Sequence, residues 1–411
     1  MKNGGFREID FLDIGDDAVL MTPNIHAHYT DHGMLQFCPV KLEDGVEINS
    51  GATIMPLTKY GKNSRLRPFA VTVKGQVCSE NTAYIGNPCK AIKMQEESSK
   101  GAILFPGQGS QYPGMLSTFQ DVASLELIDK ASSILGLDLS ELSSASSIDS
   151  SIIKDTVVAQ PLVLIGSLLA AERMRRTHPV DFSKVVACAG LSLGELTALC
   201  FARALTFEDC IRLVKVRASA MAKCNGGAMC NVQGLDRKQV ELLCRKFGLA
   251  ISNVLCDHED SRLIKDNVFI CSGTGVAVDK FVADIDLNAD CENGRGRSKR
   301  LRVSAAFHSK SMKPAQKALE KALKDIPIIF PENVLVYSNV TGNPYRSVSE
   351  IRTLLVKHLV SPVQWHKTMK DMQENEQVGR FFECGPMHSL STLVKKINPE
   401  IPSSRVISSD A

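Results

Sequence analysis

The 411-residue sequence predicts an α/β protein preceded by a β-rich segment, and three observations lead there. Beyond residue 100, apolar runs of strand type alternate with amphipathic stretches of helical period, the pattern of a sheet whose strands are joined by helices. One of these strands runs into Gly190-Leu-Ser-Leu-Gly194 and then directly into a helix. Between Ile25 and Ile92, in contrast, β-type pieces are spaced by turn residues, and an aliphatic or small residue recurs about every sixth position, the spacing of hexapeptide β-helix coils.

The first segment, residues 1–94, holds such pieces as Val46-Glu-Ile-Asn-Ser-Gly, Ala52-Thr-Ile-Met-Pro-Leu and Phe69-Ala-Val-Thr-Val-Lys-Gly. Its closing stretch, Ala83-Tyr-Ile-Gly-Asn-Pro-Cys-Lys-Ala-Ile, resembles the last coil and exit of left-handed β-helix proteins, notably the β-helix appended to some carrier-protein-containing synthetases. That resemblance implies a short stack of hexapeptide coils and makes the segment a candidate for self-association, with too few coils to name a site. Gln95-Glu-Glu-Ser-Ser-Lys100 has the composition of a linker. A strand over Ala102–Phe105 follows, then helices over Phe119–Leu135 and Gln160–Met174, with the serine-rich stretch Ser140–Ser151 between them read as a solvated loop. The next strand spans Val185–Ala189, and the helix after it spans Glu195–Ala204.

Composition narrows the function. Lys plus Arg (48) nearly balances Asp plus Glu (45), so the chain lacks the field of a nucleic-acid binder or a membrane-surface protein. The most apolar stretch, Val157–Ala171, contains Gln160 and Pro161 and falls short of the roughly 20 residues that span a bilayer, so no transmembrane segment is expected. Met1–Asp17 carries acidic residues and no apolar core of a signal peptide, which makes the cytoplasm the default and leaves plastid and mitochondrion open. Thirteen cysteines without a CxxC pair read as reduced packing residues, not as a disulfide framework or a metal site.

The chemistry begins at Ser192. Flanking glycines let the backbone turn sharply between strand and helix and expose the hydroxyl, and the helix starting near Leu193 aims free N–H groups at a developing oxyanion. A serine hydroxyl needs a base, usually histidine. His26, His28 and His32 lie in the β-rich part, and His178, His258, His366 and His388 have flanks of surface or loop type. His308 stands apart, after a strand and just before a helix; a satisfied polar residue at a helix start is the plain alternative.

These residues carry a family resemblance. Phe105-Pro-Gly-Gln-Gly-Ser-Gln111, the GxSxGE elbow, Arg217 followed by Gly227-Ala-Met, the FHSxxMxPA segment around His308, Ser338-Asn-Val-Thr-Gly, Ser361-Pro-Val-Gln-Trp365 and Glu383-Cys-Gly-Pro386 occur in the order seen in malonyl-CoA:acyl carrier protein transacylases. The chain resembles that family from about residue 101 to 411. The resemblance implies an α/β-hydrolase-like acyltransferase core with an inserted ferredoxin-like subdomain at about 226–304. It implies transfer of a malonyl group from malonyl-CoA to the phosphopantetheine thiol of an acyl carrier protein, in fatty acid or polyketide synthesis, with no bound cofactor and no metal.

Position by position, Ser192 resembles the nucleophile and His308 its base, while the backbone N–H groups of Gln108 and Leu193 match the oxyanion donors. Arg217 matches the guanidinium that holds the malonyl carboxylate, and Gln160 matches a glutamine lining the pocket. On spacing alone Arg217 would be a solvated helix residue, but a planar fork that donates two bonds to one carboxylate is how a small site selects malonyl over acetyl. Phe307 and Leu193 add bulk of the kind that accompanies malonyl use. The family orients its histidine with a backbone carbonyl seven residues before the Trp of the PVxW motif; here that residue is His358, whose side chain is expected to matter little.

Two departures stand out. Leu191 replaces the histidine usual before the nucleophile, and a polar insertion, Asp257–Asp266, falls where the family has an asparagine-containing loop, with Asn253 the nearest candidate and no role assigned to it. The basic run Arg295–Arg302 reads as a solvated hairpin, with docking of an acidic carrier protein or binding of coenzyme A phosphates as the alternative. Rival readings are a serine hydrolase or thioesterase with the same elbow, for which Arg217 would have no purpose, and a non-catalytic docking module.

Overall fold

The computed structural model describes residues 100–143, 152–288, 296–303, 305–387, 389–398 and 403–406, together with 12–92 apart from 17, 21–22, 26–27, 32–33, 38, 50, 68–69, 81 and 87. Residues of the expected linker before Lys100, the serine-rich stretch after Ser143, and His26, His32 and His388 lie outside these. The chain divides into two units: Met1–Ser99 with Arg175–Lys184, and Lys100–Met174 with Val185–Ala411.

In the first unit the buried side chains follow a strict interval. Leu42, Ile48, Ile54, Tyr60, Leu66, Thr72, Cys78 and Tyr84 are buried at every sixth position, and so are Val40, Val46, Ala52, Thr58, Ser64 and Ala70. The short strands pair in parallel at three times that interval: Glu47 with Arg65 and Arg65 with Ala83 in one sheet, Lys41 with Lys59 and Lys59 with Val77 in another. An antiparallel hairpin, His28–Asp31 with Met34–Phe37, lengthens the step between Leu12 and its partner Val40. Arg175–Lys184 groups with this unit even though it lies within the sequence of the other, and a buried ion pair joins Arg67 to Asp181 there. A guanidinium and a carboxylate withdrawn from water hold each other firmly, since either alone would carry a heavy desolvation cost.

The second unit is built on strand β1 (Lys100–Phe105). Helix α1 (Val122–Leu135) begins three residues later than its periodicity suggests, because the Asp121 carboxylate accepts the Ser124 N–H and caps it there. Part of the serine-rich stretch is also helical, over Leu139–Ser143. Helix α2 (Thr156–Thr177) starts a turn earlier than expected. It is long and apolar enough to cross a membrane by composition alone, but 78 % of its most apolar window is buried inside the protein, as in the central helix of a folded core.

Strand β2 (Val185–Gly190) leads through Ser192 into α3 (Gly194–Phe201), and α4 (Phe207–Ala222) follows, capped by Thr206. Strands β3 (Gly227–Gln233), β4 (Ala250–Cys256), β5 (Val268–Thr274) and β6 (Arg297–Arg300) alternate with α5 (Arg237–Phe247) and α6 (Gly275–Asn288) in the order β3-α5-β4-β5-α6-β6. They form an antiparallel sheet, β4-β5-β3-β6, over a core that includes Val232, Val254, Phe269 and Phe281.

The chain then returns through α7 (Lys313–Leu323), β7 (Leu335–Val336), α8 (Val348–His358), α9 (Trp365–Glu374), β8 (Val378–Cys384), α10 (Ser389–Ile397) and β9 (Ser403–Val406). The main sheet runs β7-β2-β1-β8-β9, all parallel. Its carboxyl edge is where such sheets bind ligands, because the chain turns from strand to helix there and leaves a crevice. Glu383, at the end of β8, is buried and accepts the N–H groups of Leu390 and Ser391, at 2.9 and 2.7 Å, and the Ser391 hydroxyl at 2.6 Å. Glu383→Ala leaves those donors buried without partners and is expected to cost about 1.5–3 kcal/mol. Urea unfolding of the two proteins measures it, and an unchanged midpoint would show that Glu383 does not hold α10.

Candidate active site

Phe105 and Gly190 end neighbouring strands, and the Leu191 N–H donates to the Phe105 carbonyl at 2.9 Å, so the sheet is still bonded at the residue before Ser192. The chain then reverses. Ser192 has φ 55°, in the left-handed region that costs a non-glycine residue on the order of 1–3 kcal/mol. The neighbouring positions must be bare: a Cβ at Gly190 would lie 1.8 Å from the Gly194 carbonyl carbon, and one at Gly107 would lie 2.6 Å from the Leu191 carbonyl oxygen. Gly107 thus lets the loop after β1 close on the elbow and brings Gln108 beside it. Leu193 is the N-cap residue of α3.

Ser192 Oγ lies 2.7 Å from His308 Nε2. His308, itself at φ 56°, presents Nδ1 to the His358 carbonyl oxygen at 3.1 Å. A carbonyl only accepts, so Nδ1 carries the proton and Nε2 keeps the lone pair that faces the serine hydroxyl. Burial pushes the imidazole well below its ordinary 6.5, and the neighbouring His358 and Arg217 push it further, against the hydrogen bond from Nδ1. Near neutral pH His308 is therefore uncharged and able to take a proton.

Arg217, on α4 and 2 % exposed, reaches the same point. Its Nη2 donates to Ser192 Oγ at 3.1 Å and its Nη1 to Gln160 Oε1 at 2.7 Å. Burial pulls the guanidinium down to about 10, opposed by the Glu195 carboxylate, so it is still a cation at neutral pH. Gln160 Nε2 donates in turn to Gln108 Oε1 at 3.2 Å, and Gln108 Nε2 to Thr156 Oγ1 at 3.0 Å. Ser192, His308, Arg217, Gln160, Gln108 and the His358 carbonyl are thus brought together. Phe307 is buried next to His308 in the chain.

Sequence reasoning passed over a polar layer behind these groups. Asn339, in the Ser-Asn-Val-Thr-Gly motif, accepts the Ser192 N–H on Oδ1 and donates from Nδ2 to the Gly190 carbonyl, both at 2.7 Å. Glu195, the last residue of the GxSxGE elbow, is fully buried and accepts the Asn339 N–H at 2.9 Å and the Tyr345 hydroxyl at 2.6 Å. The His358 side chain, expected to matter little, is buried, places Nδ1 2.6 Å from Glu195 Oε2 and stacks on the His308 ring at 4.9 Å. The signal was the motif letters themselves, which single out these residues without saying what they touch.

Elsewhere, His366 is not at the surface as its flanks suggested. It is buried on α9, its Nδ1 accepts the Asp257 N–H, and its ring meets His258 edge to face. Asn253 sits on β4 in register with Ile270. Much of the basic run is strand β6, where Arg300 pairs with Asp279. Arg300 and Arg302 also line a cavity of about 560 Å³ with Lys154, Thr156 and Gln108.

The sequence pattern of the acyl transferase domain matches residues 103–398. A probable malonyl-CoA-acyl carrier protein transacylase, mitochondrial, of Drosophila melanogaster is 35% identical over 339 residues, covering 78% of this chain and 84% of the relative. The Homo sapiens malonyl-CoA-acyl carrier protein transacylase, mitochondrial, is 34% identical over 325 residues, covering 76% and 80%. Among solved structures, a malonyl-transacylase in complex with its type II PKS acyl-carrier protein superposes with a TM-score of 0.66 at 28% identity, over 75% of this chain and 96% of that one. With nearly the whole second unit inside this pattern and its nucleophile elbow assembled, the chain belongs to the acyl transferase domain family and is an acyltransferase.

Proposed function

We propose that the chain carries a malonyl group from malonyl-CoA to the phosphopantetheine thiol of an acyl carrier protein by way of a malonyl ester on Ser192. One observation carries this reading: a serine hydroxyl lies between an uncharged imidazole at 2.7 Å and a buried guanidinium at 3.1 Å. A hydrolase of the same elbow type has use for the first contact only. The names of the fly and human relatives, and a solved transacylase bound to its carrier protein, support the same substrate and partner.

On this reading the reaction runs in two halves. Ser192 Oγ attacks the thioester carbonyl while its proton passes to His308 Nε2, and the oxyanion forms against the N–H groups of Gln108 and Leu193. Collapse breaks the C–S bond, and His308 returns the proton to the departing coenzyme A sulfur. The carrier-protein thiol then repeats the sequence in reverse, giving up its proton to His308 as it attacks the ester. Arg217 holds the malonyl carboxylate through both halves, exchanging its bonds to Gln160 and Ser192 for a fork onto the substrate. The cavity lined by Lys154, Arg300 and Arg302 has the charge to receive coenzyme A phosphates or an acidic carrier protein.

The alternation β3-α5-β4-β5-α6-β6, with sheet order β4-β5-β3-β6, supports a ferredoxin-like subdomain set into the acyltransferase core. Burial at every sixth residue and parallel pairing at three times that interval support a hexapeptide-type β-helix in the first unit. The fly and human relatives are both named as mitochondrial proteins, which keeps that compartment among those this reading allows.

Intact-mass analysis after mixing with malonyl-CoA tests the function: a stable malonyl adduct is expected on the wild type and none on Ser192→Ala. His308→Ala is expected to slow adduct formation on the order of 10⁴-fold. An adduct of normal yield on Ser192→Ala would mean another nucleophile. Arg217→Ala is expected to lower malonyl transfer about 30- to 4,000-fold, the cost of about 2–5 kcal/mol for a carboxylate left without its partner, and to spare acetyl transfer. Competition between malonyl-CoA and acetyl-CoA reads that change, and an unaltered preference would assign the carboxylate to another group. Because burial favours the neutral imidazole, the acid limb of kcat/KM is expected below the ordinary histidine value of 6.5. A pH–rate profile that falls off at or above that value would contradict a buried, uncharged base.

A further inference from the structure

Behind the serine and its base lies a carboxylate that the proposed chemistry does not use. Glu195 is fully buried, and both of its oxygens face groups from a much later stretch of the chain, between Asn339 and His358. Oε1 accepts from the Asn339 N–H and the Tyr345 hydroxyl. Asn339 in turn clamps the elbow, bonding to the N–H of Ser192 and the carbonyl of Gly190. Oε2 faces His358 Nδ1 at 2.6 Å. The His358 carbonyl orients His308, and its ring lies nearly parallel to the His308 ring, with an interplanar angle of 25°.

We propose that Glu195 and the His358 side chain are positioning residues, one carboxylate holding the nucleophile elbow on one side and the segment that aims the base on the other. The proposal rests on the reading of Ser192 and His308 as nucleophile and base. A carboxylate without solvent must be met by donors, and Oε1 has two, the Asn339 N–H and the Tyr345 hydroxyl, while Oε2 has the close approach of His358 Nδ1. Burial and the adjacent Glu195 charge keep the Tyr345 phenol protonated, hence a donor. His358 Nε2 and Glu195 Oε2 are both buried without a hydrogen-bond partner among the described residues, so the 2.6 Å approach of Nδ1 to Oε2 is the polar contact that joins the two side chains. The same negative charge opposes the desolvation of Arg217, so it also helps to keep a cation beside Ser192. Where hydrolases orient the catalytic imidazole with a carboxylate directly, this chain uses a backbone carbonyl, and the carboxylate acts one residue removed, through the side chain of that same residue.

The test separates positioning from simple support of the fold. His358→Leu keeps the backbone carbonyl and approximate volume but removes the nitrogen that faces Glu195, and a misplacement of this scale is expected to lower kcat for malonyl transfer about 100-fold with KM for malonyl-CoA unchanged. His358→Asn, whose amide can take the place of Nδ1, is expected to recover most of that rate. Glu195→Gln, which retains an oxygen for Asn339 and Tyr345 but loses the charge, is expected to lower kcat in the same way and carries the test if His358→Leu does not fold by circular dichroism. Native kcat in either folded variant, or a parallel loss of kcat and rise of KM without recovery in His358→Asn, overturns the positioning role. Wild-type protein that forms no malonyl-Ser192 adduct overturns the underlying reading of the site along with it.

Discussion

The left-handed turn at Ser192 is the constraint around which the rest of the site is arranged. A side chain at φ 55° is unfavourable on its own, and the surrounding structure keeps it there. Strand β2 stays bonded to β1 up to Leu191, bare backbone at Gly190 and Gly107 permits the close approach of neighbouring segments, and Asn339 bonds to the chain on both sides of the turn. The result is a hydroxyl at the carboxyl edge of a parallel sheet, 2.7 Å from His308 Nε2.

Electrostatically the site is a balance of one buried cation and one buried anion about a neutral base. Arg217 and Glu195 both lie out of water, where each alone would be costly, and each lessens the cost of the other. His308 lies in the same environment and stays uncharged, because burial and the nearby guanidinium both disfavour a second positive charge. In the proposed reaction a substrate that brings its own carboxylate would take over the guanidinium, which otherwise stays bonded to Gln160 and the serine. On the proposed reading selectivity and basicity are linked through Arg217, which would hold the malonyl carboxylate and which adds to the effect of burial in disfavouring a charged imidazole.

The two units illustrate two ways in which a chain writes its structure. In the first unit each residue's fate is a matter of local count: every sixth position is turned inward, and strands stack on those eighteen residues away. In the second unit the sheet order β7-β2-β1-β8-β9 sets Ala102 beside Phe381, from the two ends of that unit's sequence, and only the hydrophobic alternation of each element is local. Element boundaries moved for local reasons that periodicity does not carry, such as the Asp121 cap that starts α1 at Val122.

What the sequence determined by itself was the chemistry of single positions. A serine between glycines at a strand-to-helix turn was legible because backbone sterics set that turn, whereas His308 before a helix start and Arg217 on a helix were given their roles only by the family resemblance, spacing alone making Arg217 a solvated residue. The tertiary structure alone decided which groups meet. His308 reaches Ser192 across 116 residues and Asn339 reaches it across 147, and no local rule predicts such closures. It also decided that the side chain of His358 is part of the site and not an incidental neighbour of its own carbonyl, and that Glu195 faces inward although a carboxylate in the first turn of a helix is usually solvated. Burial reverses that expectation, because a charge out of water goes wherever the fold has gathered donors, and that gathering is a property of the packed chain and not of any stretch of it.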